Sequence, residues 1–356
     1  MSPLLTYLAN PQYAIVDRET VEAHDGDITR VDAGSGPFQL VRWQRNQQLV
    51  MERFDDYHET DRPRLDRVIY QPIQDRTART VALINGQVDL VLDVPLSAVE
   101  RVEGASGITV ESVPGTFWEY IGLNTQRAPF DDARVRQAVA WAIDREALNQ
   151  SAKFGRATVL ADGPIPPHHW AHADLGLYPE RDVERARELL DEAGHADGFT
   201  TTLIVGSDFP YQVQAAGSVK DMLADVNIDL TVRPMESAEF FGRLNDSDFA
   251  MTVVGWVGLV EADEYVAPIY RSDGEFNQQQ YQSEEVDRLI AAGRAVGDRT
   301  ERRDIYRQLQ RHIARDAPTV FLYVSDQVTA HHDHVHGFNV HPTATTISLR
   351  DAWVSR

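Results

Sequence analysis

A chain of 356 residues with 42% hydrophobic content exceeds one ordinary domain and is long enough for two lobes, each burying its own core. Asp plus Glu number 55 against 34 Lys plus Arg, a formal net charge of −21, and this field with no basic stretch to interrupt it excludes nucleic acid as a partner. The absence of cysteine excludes disulfides, thiolate metal sites and cysteine nucleophiles, and no apolar run is long enough to span a bilayer.

The first residues, MSPLLTYLANPQYAIVDRET, carry no basic region followed by a long apolar stretch, so the chain shows no recognisable secretion signal. Residues 36–53 alternate apolar and polar positions around a polar turn at 45–48, which predicts a half-buried hairpin with Phe38, Leu40, Leu49 and Met51 inward. Val68, Tyr70 and Pro72 predict a strand. Residues 76–85 predict a helix that packs through Val81, Ala82 and Ile84 and stops at Gly86, and residues 88–92 return as a strand. This strand–helix–strand order is that of an α/β lobe.

From Asp132 onward, Val135, Ala138, Val139, Ala142 and Ile143 follow helical spacing. A second helix carries Val183, Ala186, Leu189, Leu190 and Ala193 between an N-capping Asp182 and Gly194. Residues 201–205, 228–234 and 249–256 read as strands joined by helices at 211–226 and 237–244, two crossovers that imply a parallel sheet wound by helices. Ligands on such sheets sit at strand carboxyl ends, so Gly255, Trp256 and the loop after them are candidates for binding. A last helix at about 300–314 shows Ile305, Leu309 and Ile313 at four-residue spacing.

Lys153 and Lys220 are the only lysines, and such depletion beside abundant carboxylates points to saline surroundings in which surface acids stay hydrated. A GC-rich genome favouring Arg codons is the alternative.

Several segments, read in order, resemble the peptide- and nickel-binding solute receptors of ABC importers, the family 5 extracellular solute-binding proteins. They are GSGPFQLVRW at 34–43, LINGQVDLVLDVP at 83–95, YIGLNTQRAPFDDARVRQAVAWAIDREAL at 120–148, GPIPP at 163–167, ERARELLDEAG at 184–194, GW at 255–256, FLYVSDQVTAHHDHVHGFNV from Phe321, and LRDAWV at 349–354. The resemblance implies an α/β, periplasmic-binding-protein-like two-lobe fold of type II, the dipeptide/oligopeptide-binding type, with parallel sheets flanked by helices. It further implies that part of lobe I and most of lobe II are missing: residues 1–32 a remnant of lobe II, 33–118 the central part of lobe I, 119–322 lobe III, and 323–356 a return to lobe I.

By the same resemblance the solute lies between lobes I and III and passes to a membrane permease, with no cofactor and no reaction. The chain is then extracytoplasmic, at the cell surface or in the periplasm in its full-length form. The binding residues so implied are Gly255, Trp256, Val257, Leu259, Glu261, Asp263, Tyr120 and Asn124, the strand end offering backbone hydrogen bonds and Trp256 a flat wall. Peptide-binding members commonly carry an Asp in the position that Leu259 occupies, where it pairs with the ligand's free amine. Leucine cannot neutralise an ammonium, so blocked peptides, oligosaccharides or other neutral solutes are favoured over free-amine oligopeptides unless Glu261 or Asp263 substitutes. Those two acids could equally be solvent-facing charges, and Trp256 an ordinary core aromatic.

His332, His334 and His336 alternate, and in one strand they would share a face and could meet a metal ion. A His-dependent metalloprotein or hydrolase on the same fold, or an inactive receptor fragment, are therefore the alternative readings. The sequence has no GxSxG elbow and no Walker loop, and Asp131–Asp132 reads as a helix cap rather than a catalytic pair.

Overall fold

The computed structural model describes residues 3–10, 13–258 and 260–355. Two short helices, α1 (Leu4–Leu8) and α2 (Arg18–Ala23), precede an antiparallel sheet of β1 (Phe38–Gln44), β2 (Gln48–Arg53) and β3 (Arg67–Tyr70). The register of β1 on β2 shifts between Leu40 and Arg42. Such a bulge re-aims the side chains beyond it. Val50 is accordingly the buried residue of the hairpin, while Leu49 and Met51, expected inward, are half-buried.

Next come α3 (Arg76–Ile84), β4 (Leu90–Val91), α4 (Val99–Glu103) and the long β5 (Ile108–Leu123). Asp75 caps α3 by accepting from the Ala78 N–H, and Gly86 at φ +69° follows its end as the sequence predicts. The helix buries Thr80, Ala82 and Leu83 and exposes Val81, so its inward face is rotated from the one expected.

The chain continues through α5 (Ala133–Ala142), α6 (Arg145–Lys153), β6 (Ala157–Val159), α7 (Val183–Glu192), β7 (Phe199–Gly206), α8 (Pro210–Ala224), β8 (Ile228–Met235), α9 (Ser237–Asn245) and β9 (Met251–Val257). It ends with α10 (Ala262–Tyr270), α11 (Glu284–Ala295), α12 (Arg299–Asp316), β10 (Thr319–His332), β11 (Val335–His336) and β12 (Trp353–Val354). Asp132, Asp144, Asp182, Ser283 and Asp298 each stand at a helix start and accept a first-turn N–H, which satisfies donors the helix itself leaves open.

The chain forms two compact units, one of Met1–Tyr7 and Thr116–Ser325, the other of Leu8–Gly115 and Asp326–Arg356. In the first, the sheet order runs β10-β5-β9-β7-β8, with β6 on β10. Strand β7 is parallel to both neighbours, whereas β5 is antiparallel to β9 and β6 to β10. The sheet is therefore mixed rather than parallel: the two helical crossovers make parallel neighbours only of β7, β8 and β9. Its core includes Trp118, Phe130, Leu203, Val253, Phe240, Tyr265, Leu309 and Phe321, all fully buried or nearly so. In the second unit, β4 shrinks to the two residues that pair with Ala330 and His331 of β10, and Val335, Phe338 and Ala352 form a small separate core.

Candidate site at the end of strand β9

Strand β9 is held on one side by β5 along its whole length, from Phe117↔Val257 to Leu123↔Met251. On its other side the ladder to β7 comprises only Leu203↔Met251 and Ile204↔Thr252. Beyond Thr252, the strand runs on toward its carboxyl end with no β7 partner in that ladder. Side chains alternate along a strand. Gly255 and Val257 thus share a face with Phe117 and Glu119, and Trp256 shares the other with Trp118.

Trp256 is half-buried, its indole N–H donating to the Glu264 carbonyl at 2.9 Å and its ring 4.8 Å from that of Phe276. Val257 is 48% exposed. Gly255 has no room for a side chain, because a Cβ there would lie 2.1 Å from Cζ of Phe117. Gly258 is covered in the same way by the Tyr265 ring, 2.3 Å from where its Cβ would stand. Leu259 lies outside the described residues.

Glu261 and Asp263, expected in a loop, cap and begin helix α10. Glu261 and Glu264 form a reciprocal capping box, in which the Glu264 carboxylate also accepts from the Val260 N–H at 3.0 Å. Both expected acids are buried, at 2% and 1% exposure, so the solvent-facing alternative is overturned. Glu261 pairs with Arg302, and Asp263 receives a two-pronged contact from Arg294 at 2.8 and 2.7 Å together with the Tyr7 hydroxyl at 2.7 Å. A carboxylate cannot be taken out of water cheaply without such partners. These acids hold α10 in place, and their oxygens are already engaged.

His169, which clusters with His168 and His172 in the sequence but carried no binding role there, reaches the same turn. Its Nε2 stands 3.0 Å from the Val260 carbonyl, while Nδ1 accepts from the Ala171 N–H at 3.2 Å. Those partners fix the neutral tautomer with hydrogen on Nε2. Burial pushes its pKa below the ordinary 6.5.

Asn124 does not join Trp256, and Tyr120 shares the face of Trp256 two residues along but is buried. Tyr120 is buried opposite Val254 with its ring 4.7 Å from Trp118, and burial pushes its phenol up to about 12. Asn124 lies past Leu123, beside the start of β9, where its amide donates to the Ser247 carbonyl and its oxygen accepts from the Gln126 N–H. Six residues of strand, roughly 20 Å at 3.4 Å per residue, separate that end from Val257.

The three candidate metal-binding histidines do not form one set. The strand expected to carry them breaks at Asp333–His334, which turn between β10 and β11. His332 and His334 stack, but the Nε2 atoms of His332, His334 and His336 meet the Leu83 carbonyl, Asp89 and the Ser355 hydroxyl respectively. Among the described residues no three His, Cys, Asp or Glu side chains are grouped to hold a metal ion. No helix among them is long and apolar enough to cross a membrane.

The sequence profile of the bacterial extracellular solute-binding proteins, family 5 Middle, matches residues 1–278. The glutathione-binding protein GsiB of Salmonella paratyphi A is 29% identical over 361 residues, covering 99% of this chain and 70% of GsiB. Among solved structures, DppA of Helicobacter pylori in complex with the peptide STSA aligns with a TM-score of 0.85 at 24% identity, covering 100% of this chain and 70% of DppA. The periplasmic binding protein AgaA in complex with agropinic acid, from A. tumefaciens R10, aligns with a TM-score of 0.85 at 26% identity, covering 99% and 74%. The periplasmic-binding-protein fold that the sequence motifs implied is thereby established.

Proposed function

Because the chain belongs to the bacterial extracellular solute-binding proteins of family 5, we propose that it captures a small peptide-like solute outside the cytoplasm and delivers it to the membrane permease of an ABC importer. This family is one of binding proteins rather than enzymes. The observation that carries the reading to particular residues is the end of β9, which leaves the β7 ladder at Thr252 and extends to the exposed Val257. An extended ligand is bound by main-chain hydrogen bonds at such an end, with side-chain pockets adding specificity. In this reading the main chain of Gly255 and Val257 supplies the hydrogen bonds and Trp256 a flat wall. Tyr120 and Asn124 brace β5 from within.

The engagement of Glu261, Asp263 and Glu264 by their own neighbours supports a ligand without a free α-amine, since none of the three offers an unpaired carboxylate. An uncompensated ammonium in a closed site is expensive. Blocked peptides fit this chemistry, as do oligosaccharides and other neutral solutes. Titration calorimetry with free tripeptides, their N-acetylated forms, glutathione and oligosaccharides tests it, with tryptophan fluorescence as a second readout. N-acetyl peptides should bind more tightly than free ones, and Trp256→Ala should weaken binding by about 1 kcal/mol or more. Tight binding confined to free-amine peptides would refute the preference.

The carboxylate excess supports a saline exterior as the place of work.

A further inference from the structure

We propose that Phe117 determines which side chain of the solute is accepted at the end of β9, selecting an apolar or aromatic group there. The proposal rests on the reading of that strand end as the binding wall.

Phe117 breaks the burial pattern of its strand. Thr116 and every residue from Trp118 to Leu123 are buried, yet Phe117 between them is 37% exposed. It stands across the ladder from Val257, and Val260 beyond the strand is also exposed. Large apolar side chains gathered in the open at one place mark a contact surface.

The ring is also seated. An added Cβ on Gly255 would fall 2.1, 2.7 and 2.8 Å from three of its atoms, Cζ, Cε2 and Cε1, so the ring lies directly over the Gly255 backbone. Any residue but glycine at 255 would displace it. Phe117 therefore presents its ring at the very residues whose main chain is free to meet a ligand.

The polar groups on this face point inward. Glu119, opposite Gly255, is buried in an ion pair with Lys153 and accepts from the Ser325 hydroxyl at 3.2 Å. Lys153 in turn lies 5.2 and 5.1 Å from the ring centres of Tyr211 and Tyr323. A solute group arriving at Phe117 thus meets ring and aliphatic surface rather than the Glu119–Lys153 charges, and burial of its own apolar area supplies the attraction.

The test compares N-acetyl-Ala-Phe-Ala with N-acetyl-Ala-Ala-Ala by titration calorimetry on the wild-type chain, Phe117→Ala, Phe117→Leu, Gly255→Ala and Trp256→Ala, each first checked for an unchanged melting profile. The wild type should favour the Phe peptide by about tenfold or more. Phe117→Ala should bring the two peptides close to equality, Phe117→Leu should keep part of the preference, and Gly255→Ala should diminish it by unseating the ring. A preference that survives Phe117→Ala, or a wild type that binds both peptides equally, overturns the role of Phe117 and leaves the strand-end reading standing if Trp256→Ala still weakens binding. Failure of both peptides to bind the wild type overturns the peptide reading, and the role of Phe117 with it.

Discussion

At the scale of single residues, the ionisable groups around the β9 end are tied to one another. Glu261 with Arg302 is a buried pair and the buried Asp263 pairs with a half-buried Arg294, so removing either arginine strands a buried carboxylate. His169 is the group among them whose ordinary pKa lies near neutrality. Its ring faces Trp170 and Tyr265, the carboxylate of Glu261 favours the proton, and Arg299 and His168 oppose it, but burial dominates and lowers its pKa. The sign of the pH effect follows. The unfolded chain takes up a proton at about 6.5 while the folded imidazole stays neutral, so stability is complete above that value and is lost as pH falls below it. His168 is shifted the same way, again by burial. Thermal melts should be flat from about pH 8 to 7 and decline below about 6.5. The decline should be shallower in His169→Gln, which keeps a donor for the Val260 carbonyl and does not titrate. Identical slopes for wild type and variant would show that His169 is not responsible.

Among the elements, the β7–β8 pair depends most on a single backbone geometry. Gly198 precedes β7 with φ at +78°, and a Cβ there would lie 1.8 Å from the carbonyl oxygen of Asn227, just before β8. Left-handed backbone and backbone contact together leave no relaxed place for a side chain. Gly198→Ala is expected to cost about 2 kcal/mol or more, read as a lower urea midpoint with an unchanged slope. An unaffected midpoint would mean that the strands shift freely at this end. Helix α10 teaches a different lesson. Its capping box is written in the sequence as Glu261 and Glu264, and Tyr265, Val266, Ile269 and Tyr270 follow helical spacing, but Pro268 within it obscures the pattern. That is why Glu261 and Asp263 read as loop acids.

For the whole molecule, the balance of charge governs behaviour in salt. With 55 acidic side chains against 34 basic ones, mutual repulsion opposes the compact state at low ionic strength, and screening relieves it. The melting temperature should rise substantially between about 0.1 M and molar NaCl, where the screening length falls from about 10 Å to 3 Å. A flat or falling curve would remove the saline reading and leave Arg codon preference as the explanation for the scarcity of lysine. The apolar surface at Phe117 and Val257 is compatible with such surroundings, since apolar contacts do not depend on unscreened charge.

The sequence alone determined the family, the α/β class, the helices expected at 76–85, from Asp132 onward, between Asp182 and Gly194 and at about 300–314, and the candidacy of Gly255 and Trp256. Those features rest on local periodicity, on caps placed next to the helices they serve, and on motifs that keep their order along the chain. Tertiary structure alone decided the rest. Whether Glu261 and Asp263 face solvent depends on Arg302 and Arg294, more than thirty residues away. Whether Tyr120 and Asn124 reach the Trp256 end depends on the antiparallel register of β5 on β9. The seat of Phe117 over Gly255 joins residues 138 positions apart, a distance that no local pattern spans.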